Sequence, residues 1–511
     1  MKRWTNLTKS RLGERGVSRA LMAMLMATSC GGSGPATPSQ PSEPSPPGPV
    51  PTPVPTPAAR PNIVVITADD LDNASIAYMP NLRSLLIDRG LSFTNSFVTT
   101  PLCCPSRASL LTGQYAHNHD ILINRPAGSL GQVPNCFERF RDRGGESSTV
   151  ATWIQPSGYR TGFVGKYLNR YPGDMPGANQ RHVPPGWDDW FAQFSETGNA
   201  YYKYSINDNG NLVERGNQPE DYLTDVLNNR AVDLVDRWSG DPARPFFIWV
   251  NTAAPHVPMV PAPRHEGSLE GVIAPRTPNF NEPDMSDKPS WYRSLPEFSD
   301  ETIGRLDGQQ RQRLRSMLSV DDMIGNLVRA LERSQALANT YVMFTSDNGL
   351  LIGGHRLYLG KDAVYEESIR TPWVVRGPSV PEGKSLDHMV LNIDFAPTVA
   401  ELARVAVPGD VDGKSLLPLL NYNPPASAAW RTDFLLEHWT DQPEGLPDWF
   451  AVRTKDQIYV EYPMTRETEF YDLGKDQYQL DSQHAKAPAS TLQPLASRLA
   501  ALKRCRAATC R

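Results

Sequence analysis

Two adjacent thiols open the run Cys103-Cys104-Pro105-Ser106-Arg107, which continues Ala108-Ser109-Leu110-Leu111-Thr112-Gly113. As core this run reads badly, because proline lacks a backbone donor and arginine is rarely buried unpaired. As a turn entering a helix it reads well. Pro105 fits the first helical turn, where its missing N–H costs nothing. Free N–H groups at that end face an anion, and Arg107 adds a fixed positive fork. Two acidic groups flank the same chemistry. Asp69-Asp70 directly follows the β-branched run 62–67, and Asp347-Asn348-Gly349 directly follows the apolar run 340–346. In parallel α/β sheets ligands collect at the carboxyl ends of strands. Four oxygen-bearing side chains at two such ends suit a hard divalent cation, Ca2+ or Mg2+. Taken singly, Asp69-Asp70 is equally a helix cap, and Asp347-Asn348-Gly349 equally a turn.

The Cys103–Arg107 run resembles the signature of the type I sulfatases. The resemblance implies that Cys103, not Cys104, is oxidised after synthesis to Cα-formylglycine by a formylglycine-generating enzyme. The hydrated aldehyde then offers one hydroxyl to attack sulfur and a second to release sulfate, which is covalent catalysis. The competing reading of Cys103 is a structural disulfide. The family pattern makes Asp69, Asp70, Asp347 and Asn348 the metal ligands, with Asp72 as a further neighbour. Gly165-Lys166-Tyr167-Leu168-Asn169 resembles the segment supplying a sulfate-binding lysine, Lys166. Many sulfatases carry a histidine two residues later; Leu168 stands there, as in glucosamine-6-sulfatases and extracellular heparan endosulfatases. The run ending Ala254-Pro255-His256 implies that His256 protonates the leaving alcohol or binds a sulfate oxygen, chemistry open to an imidazole near neutral pH. Gly360-Lys361 matches the second sulfate lysine, Lys361, and Arg107 braces the diol against its charge. His355 reads as a pocket residue without a defined role, and His117 and His119 as structural or rim residues. Segments 366–372, 394–398, 412–418 and 470–473 follow in family order.

These residues need a scaffold. Apolar runs at 62–67, 245–251 and 340–346 read as buried strands, and 158–166 as a turn and strand. Segments 80–89, 149–155, 222–237 and 311–332 read as helices. Strands alternating with helices predict an α/β fold with a large, mostly parallel sheet covered on both faces. The resemblance makes this fold alkaline-phosphatase-like. The polar, Pro-rich stretch 264–300 reads as a long irregular loop. After about residue 425, short strands near 434–438, 450–453, 457–462 and 469–473 and a helix at 490–503 predict a small antiparallel sheet with one closing helix. The expected organisation is a signal at 1–30, a linker at 31–61, a catalytic domain at 62–425 and a C-terminal subdomain at 426–511.

The amino-terminal region reads as an export signal. Lys2, Arg3, Lys9, Arg11, Arg15 and Arg19 precede a short apolar run at 20–27. Ala27-Thr28-Ser29-Cys30 resembles a bacterial lipobox, with Ala27 where that pattern prefers leucine. It predicts membrane anchoring by a lipid on Cys30; an ordinary secretory signal is the alternative. Either way the protein is expected outside the cytoplasm, in the bacterial cell envelope or secreted. Residues 35–61 are rich in proline and nearly uncharged, an extended tether. At about 3 Å per residue it reaches roughly 80 Å. With 51 Lys plus Arg against 56 Asp plus Glu, the net charge is −5 and no basic cluster follows the signal. Nucleic acid is therefore excluded as an expected partner. Of six cysteines, Cys505 and Cys510 bracket a short loop and are placed to pair in an oxidising compartment, and Cys104 with Cys136 is a second candidate.

The function expected from these residues is hydrolysis of a sulfate monoester of a sulfated small molecule or glycan, such as N-acetylglucosamine-6-sulfate. Two alternatives stand beside it. One is a phosphonate or phosphate ester hydrolase on the same scaffold, the other a non-catalytic lipoprotein that binds sulfated glycans.

Overall fold

The computed structural model describes Gly34 and residues 60–124, 133–194, 201–440 and 445–511. The proposed signal, Cys30 and nearly all of the tether lie outside the described residues. Residues 58–511 form one compact unit.

Its centre is a sheet of ten strands: β1 (Asn62–Ala68), β2 (Leu91–Phe97), β3 (Arg160–Lys166), β4 (Asp189–Gln193), β5 (Ser205–Asp208), β6 (Asn211–Glu214), β7 (Phe246–Asn251), β8 (Thr340–Ser346), β9 (Trp373–Arg376) and β10 (Lys384–Leu391). The spatial order is β10-β2-β9-β8-β1-β7-β3-β4-β5-β6. The five strands β8-β1-β7-β3-β4 run parallel at the centre, and β9 and β5 run against them, β5 as the first strand of the β5–β6 hairpin. This is the alkaline-phosphatase-like arrangement expected, with all residues of β7 and β8 buried.

Helices cover both faces because the strand pleat sends alternate residues to opposite sides. Ile63 and Val65 of β1 join one cluster with Ala108, Leu110 and Leu111 of helix α1 (Cys103–Thr112). Val64 and Ile66 join the other, with Leu227 and Leu234 of α2 (Leu223–Ser239) and Met317, Ile324 and Leu327 of α3 (Asp300–Arg333). Each such leucine or isoleucine contributes about 1.5–3 kcal/mol on burial.

A second sheet is an antiparallel meander of β11 (Asp433–His438), β12 (Trp449–Thr454), β13 (Gln457–Tyr462) and β14 (Glu467–Asp472). Helix α4 (Ala489–Leu502) closes it through Leu495, Leu499 and Leu502. Its core is continuous with Phe97, Tyr115 and Leu391 of the larger sheet's flank. Cys104–Cys136 and Cys505–Cys510 are disulfides, leaving Cys103 free.

Two expectations are corrected. Helix α3 begins at Asp300, not near 311, because Ser299 caps it by accepting from Thr302 N at 3.3 Å and Asp300 and Glu301 sit in the first turn. Gly304 and Gly308 hide that start from a propensity reading. The helix read at 80–89 is a π-turn over Leu82–Ile87, where Asp88 N bonds Arg83 O at 2.9 Å. The stretch 264–300 is irregular as expected, with only the short turns Pro263–His265 and Ser290–Arg293 before α3. No described helix is long and apolar enough to cross a membrane.

Candidate active site

Four parallel strands end in one place. Asp69 and Asp70 follow β1, Lys166 ends β3, Asn251 ends β7, and Asp347 and Asn348 follow β8. Helix α1 starts above them with Cys103 as its first residue, after Leu102 in extended conformation. Pro105 lies in that first turn as expected, and Ser106 N returns to Leu102 O at 3.0 Å.

The nine predicted site residues converge. Cys103 Sγ lies 3.7 Å from Asp69 Oδ1, 3.9 Å from Asp70 Oδ1 and 2.9 Å from Lys361 Nζ. Lys361 also donates to Asp70 Oδ1 at 2.9 Å, and Lys166 Nζ donates to Asp69 Oδ2. One turn along α1, Arg107 Nε donates to Asp347 Oδ2 at 2.7 Å, and Nη1 reaches Lys166 O at 2.9 Å and Asn251 Oδ1 at 3.3 Å. Asp347 Oδ1 accepts from the backbone N–H of Asp70 at 3.1 Å and of Asn348 at 2.8 Å. Asn348 Nδ2 donates to Asp70 Oδ1 at 2.7 Å. Asp70 holds a φ of +61°, a left-handed conformation uncommon for a residue with a Cβ. Its backbone N–H and its carboxylate are both held by the residues that follow β8.

Ligand atoms of Asp69, Asp70, Cys103 and His256 all lie within 4.8 Å of one another. His256 Nε2 is 3.7 Å from Asp70 Oδ2, and its Nδ1 is 2.7 Å from Val257 O. The cluster is closed on one side. The side chains of Asp69 and Asp347 are fully buried, whereas Lys361 is 19% and His256 28% exposed. The mouth of the site is therefore on the His256–Lys361 side.

The electrostatics follow from burial. Burial pushes the Asp69 carboxyl up, but Lys166, His256, Arg107 and Lys361 outweigh it and hold the group well below the usual range. Asp70 is likewise lowered, chiefly by Lys361 against its burial. Burial and the charge of Asp69 push the Asp347 carboxyl up, with Arg107 and Lys166 opposing. Burial lowers His256, with Asp70 and Asp69 opposing. Burial raises the Cys103 thiol far above its ordinary value despite Lys361 and Lys166. A side chain held as thiol is a poor nucleophile, since the thiolate is the reactive form.

The donor set fits a hard cation. Three buried carboxylates meet here, and the buried Asn348 Oδ1 has no hydrogen-bond partner among the described residues. Asp69, Asp70, Asp347 and Asn348 together offer the oxygen ligands that Ca2+ or Mg2+ takes.

The remaining candidates fall outside this cluster. Asp72 caps its own turn, accepting from Ser75 N at 3.0 Å, and pairs with Arg313 at 2.8 Å. His355 is fully buried, bonded to Glu282 at 2.6 Å and stacked on Tyr365. His117 bonds Glu437 at 2.8 Å, and His119 faces Ser109 at 3.0 Å. Asn251 was missed from the sequence; its place as the last residue of a buried strand was the available signal.

Residues 61–405 match the family described as Sulfatase, and residues 353–504 match the C-terminal region of N-sulphoglucosamine sulphohydrolase. N-acetylglucosamine-6-sulfatase of Capra hircus is 34% identical over 490 residues, 88% of this chain and 85% of that protein. The Homo sapiens N-acetylglucosamine-6-sulfatase is 36% identical over 74% of this chain and 67% of its own length. Among solved structures, one in complex with its substrate D-glucosamine-2-N,6-O-disulfate superposes with a TM-score of 0.72 at 23% identity, covering 86% of this chain and 97% of that one. The phosphonate monoester hydrolase of Agrobacterium radiobacter shares the fold at a TM-score of 0.66 and 21% identity, over 87% of this chain and 95% of that one. With a family match over most of its length and close relatives that hydrolyse sulfuric esters, this chain belongs to the sulfatase family and is a sulfuric ester hydrolase.

Proposed function

We propose that this protein removes the 6-sulfate of N-acetylglucosamine or of a closely related sulfated glycan, with Cys103 converted to Cα-formylglycine. The observation that carries the reading is the position of Cys103 Sγ, 3.7 Å from Asp69, 3.9 Å from Asp70 and 2.9 Å from Lys361 at the closed end of a cation-lined pocket. The names of relatives at 34–36% identity support the sugar.

The aldehyde hydrate would supply the nucleophilic hydroxyl, and a bound divalent cation would supply Lewis-acid polarisation of the sulfate and the diol. Asp69, Asp70, Asp347 and Asn348 would hold that cation. Lys166 and Lys361 bind sulfate oxygens, and Arg107 fixes Asp347 while its charge offsets the carboxylates. His256 stands at the mouth, where the alcohol part of a bulky substrate has to lie, so it is placed to protonate the leaving oxygen. The residue after Lys166 on this pattern is Tyr167, then Leu168, so no second imidazole acts there.

The reading extends to location. The basic start and the Ala27-Thr28-Ser29-Cys30 run support export with a lipid on Cys30, and two relatives are named as extracellular sulfatases. A formylglycine-generating enzyme is the required partner.

Release of sulfate from N-acetylglucosamine-6-sulfate, a 2-sulfated sugar and an aryl sulfate, compared with release of the phenol from an aryl phosphonate monoester, decides the substrate. Preference for the 6-sulfated sugar by kcat/KM supports the proposal. Equal turnover of the 2-sulfated sugar, or a preference for the phosphonate, defeats it.

A further inference from the structure

The loop that brings Lys361 to Cys103 is hydrogen-bonded to a residue of the other sheet. Lys361 lies in a loop, and its backbone is pinned on both sides. Before it, Gly360 exchanges both backbone bonds with Leu351, at 2.7 and 2.9 Å. After it, Asp362 takes a φ of +68°, a left-handed conformation that costs energy in a residue with a Cβ and persists only where the surroundings enforce it. Two bonds enforce it here. Asp362 N donates to Pro101 O at 3.0 Å, two residues before Cys103. The indole Nε1–H of Trp449 donates to Asp362 O at 2.7 Å.

Trp449 is fully buried at the start of β12, stacked on His438 with ring centroids 5.8 Å apart. Residue 438 pairs with it across the β11–β12 ladder. One residue earlier in β11, Glu437 N donates to Thr99 O at 3.0 Å. The small sheet thus grips both the approach to Cys103 and the loop bearing Lys361. A buried indole N–H with one acceptor is a rigid, directional constraint.

We propose that Trp449 is a positioning residue for sulfate turnover, acting through Asp362 to aim Lys361 Nζ at residue 103. The inference rests on the proposed role of Lys361 in binding sulfate. Trp449→Phe keeps an aromatic ring against His438 and deletes the donor. Displacements of about 1 Å at reacting groups cost up to a hundredfold in rate, and the expected loss here is about tenfold in kcat with a smaller change in KM.

The test is a double-mutant cycle on the full-length, converted enzyme with an aryl sulfate, whose good leaving group keeps slow variants measurable. Lys361→Ala is expected to lose most activity, and adding Trp449→Phe to it is expected to cost no more than twofold further. Conversion of Cys103 is measured by mass in every variant, and rates are expressed per converted enzyme. If Lys361→Ala retains full activity, the sulfate-binding role fails and this inference with it. If Lys361→Ala is impaired but Trp449→Phe is silent, or costs the same tenfold on both backgrounds, the positioning role alone is overturned. Should Trp449→Phe lose its melting transition, benzothienylalanine at 449 replaces only the N–H by sulfur and serves in the same cycle, with the same outcomes.

Discussion

Arg107 Nε donates to Asp347 Oδ2 at 2.7 Å, and both side chains are shut away from solvent. This bond ties the helix that starts with Cys103 to the carboxyl end of β8. It also makes each partner expensive to remove, because a buried charge left alone costs about 3–5 kcal/mol. Asp347→Ala is therefore expected to lower the melting temperature and abolish sulfate release together. Asp347→Asn keeps an acceptor for Arg107 and should restore part of the stability but little activity. Calorimetry beside a sulfate assay checks both; an Asp347→Ala protein of wild-type stability and rate contradicts the account.

Removing divalent cations should affect folding as well as turnover. Three carboxylates share the site with Asn348 Oδ1, which has no hydrogen-bond partner among the described residues. A cation at a hundred times its Kd stabilises by about 2.7 kcal/mol. Chelation is expected to lower the melting temperature and stop sulfate release, and Ca2+ or Mg2+ to restore both. Asn348→Ala should weaken that response. Indifference of both readouts to a strong chelator removes the metal from the mechanism.

The Cys104–Cys136 disulfide closes a loop of 32 residues beside the nucleophile. Chain-entropy reasoning puts its contribution at about 3–4 kcal/mol. Cys136→Ser should lower the denaturant midpoint correspondingly while leaving residue 103 convertible. An unchanged midpoint, or a Cys103–Cys104 disulfide in the wild-type protein, runs against the arrangement described.

Stability should fall on the acid side. Burial holds His438 down at about 4 and His119 and His355 at about 3. Each folded value lies below the unfolded one near 6.5, so each group favours the folded state fully above that pH and loses the contribution as pH falls toward the folded value. For His438 the loss is roughly 2 kcal/mol between pH 7 and pH 5. His438→Gln is expected to melt with a shallower pH dependence over that window. An identical slope in the variant shows that this histidine does not stay neutral in the folded protein.

The site was more legible than its frame. Cys103–Arg107 is contiguous, and Asp69-Asp70 and Asp347-Asn348 each follow a run whose β-branched residues announce a buried strand. Such local patterns survive without knowledge of packing. Strand β2 alternates apolar and polar residues only as far as Thr94, after which Asn95 and Ser96 break the pattern, and it passed unread. The first turns of α3 carry two glycines, so propensity argued against a helix that Ser299 and the flanking acids secure. The bond from Trp449 to Asp362 spans 87 residues, from the small sheet to the loop bearing Lys361, and no spacing rule reports it.

The central claim is that residue 103 of the working enzyme is an aldehyde. Mass spectrometry of the peptide bearing residues 103–107, on preparations converted to different extents, tests it most directly. Conversion of the thiol lowers the mass by about 18 Da, and sulfate release per molecule is predicted to rise in proportion to the converted fraction, reaching zero in Cys103→Ala. Full activity from a preparation whose residue 103 remains a thiol would contradict the account.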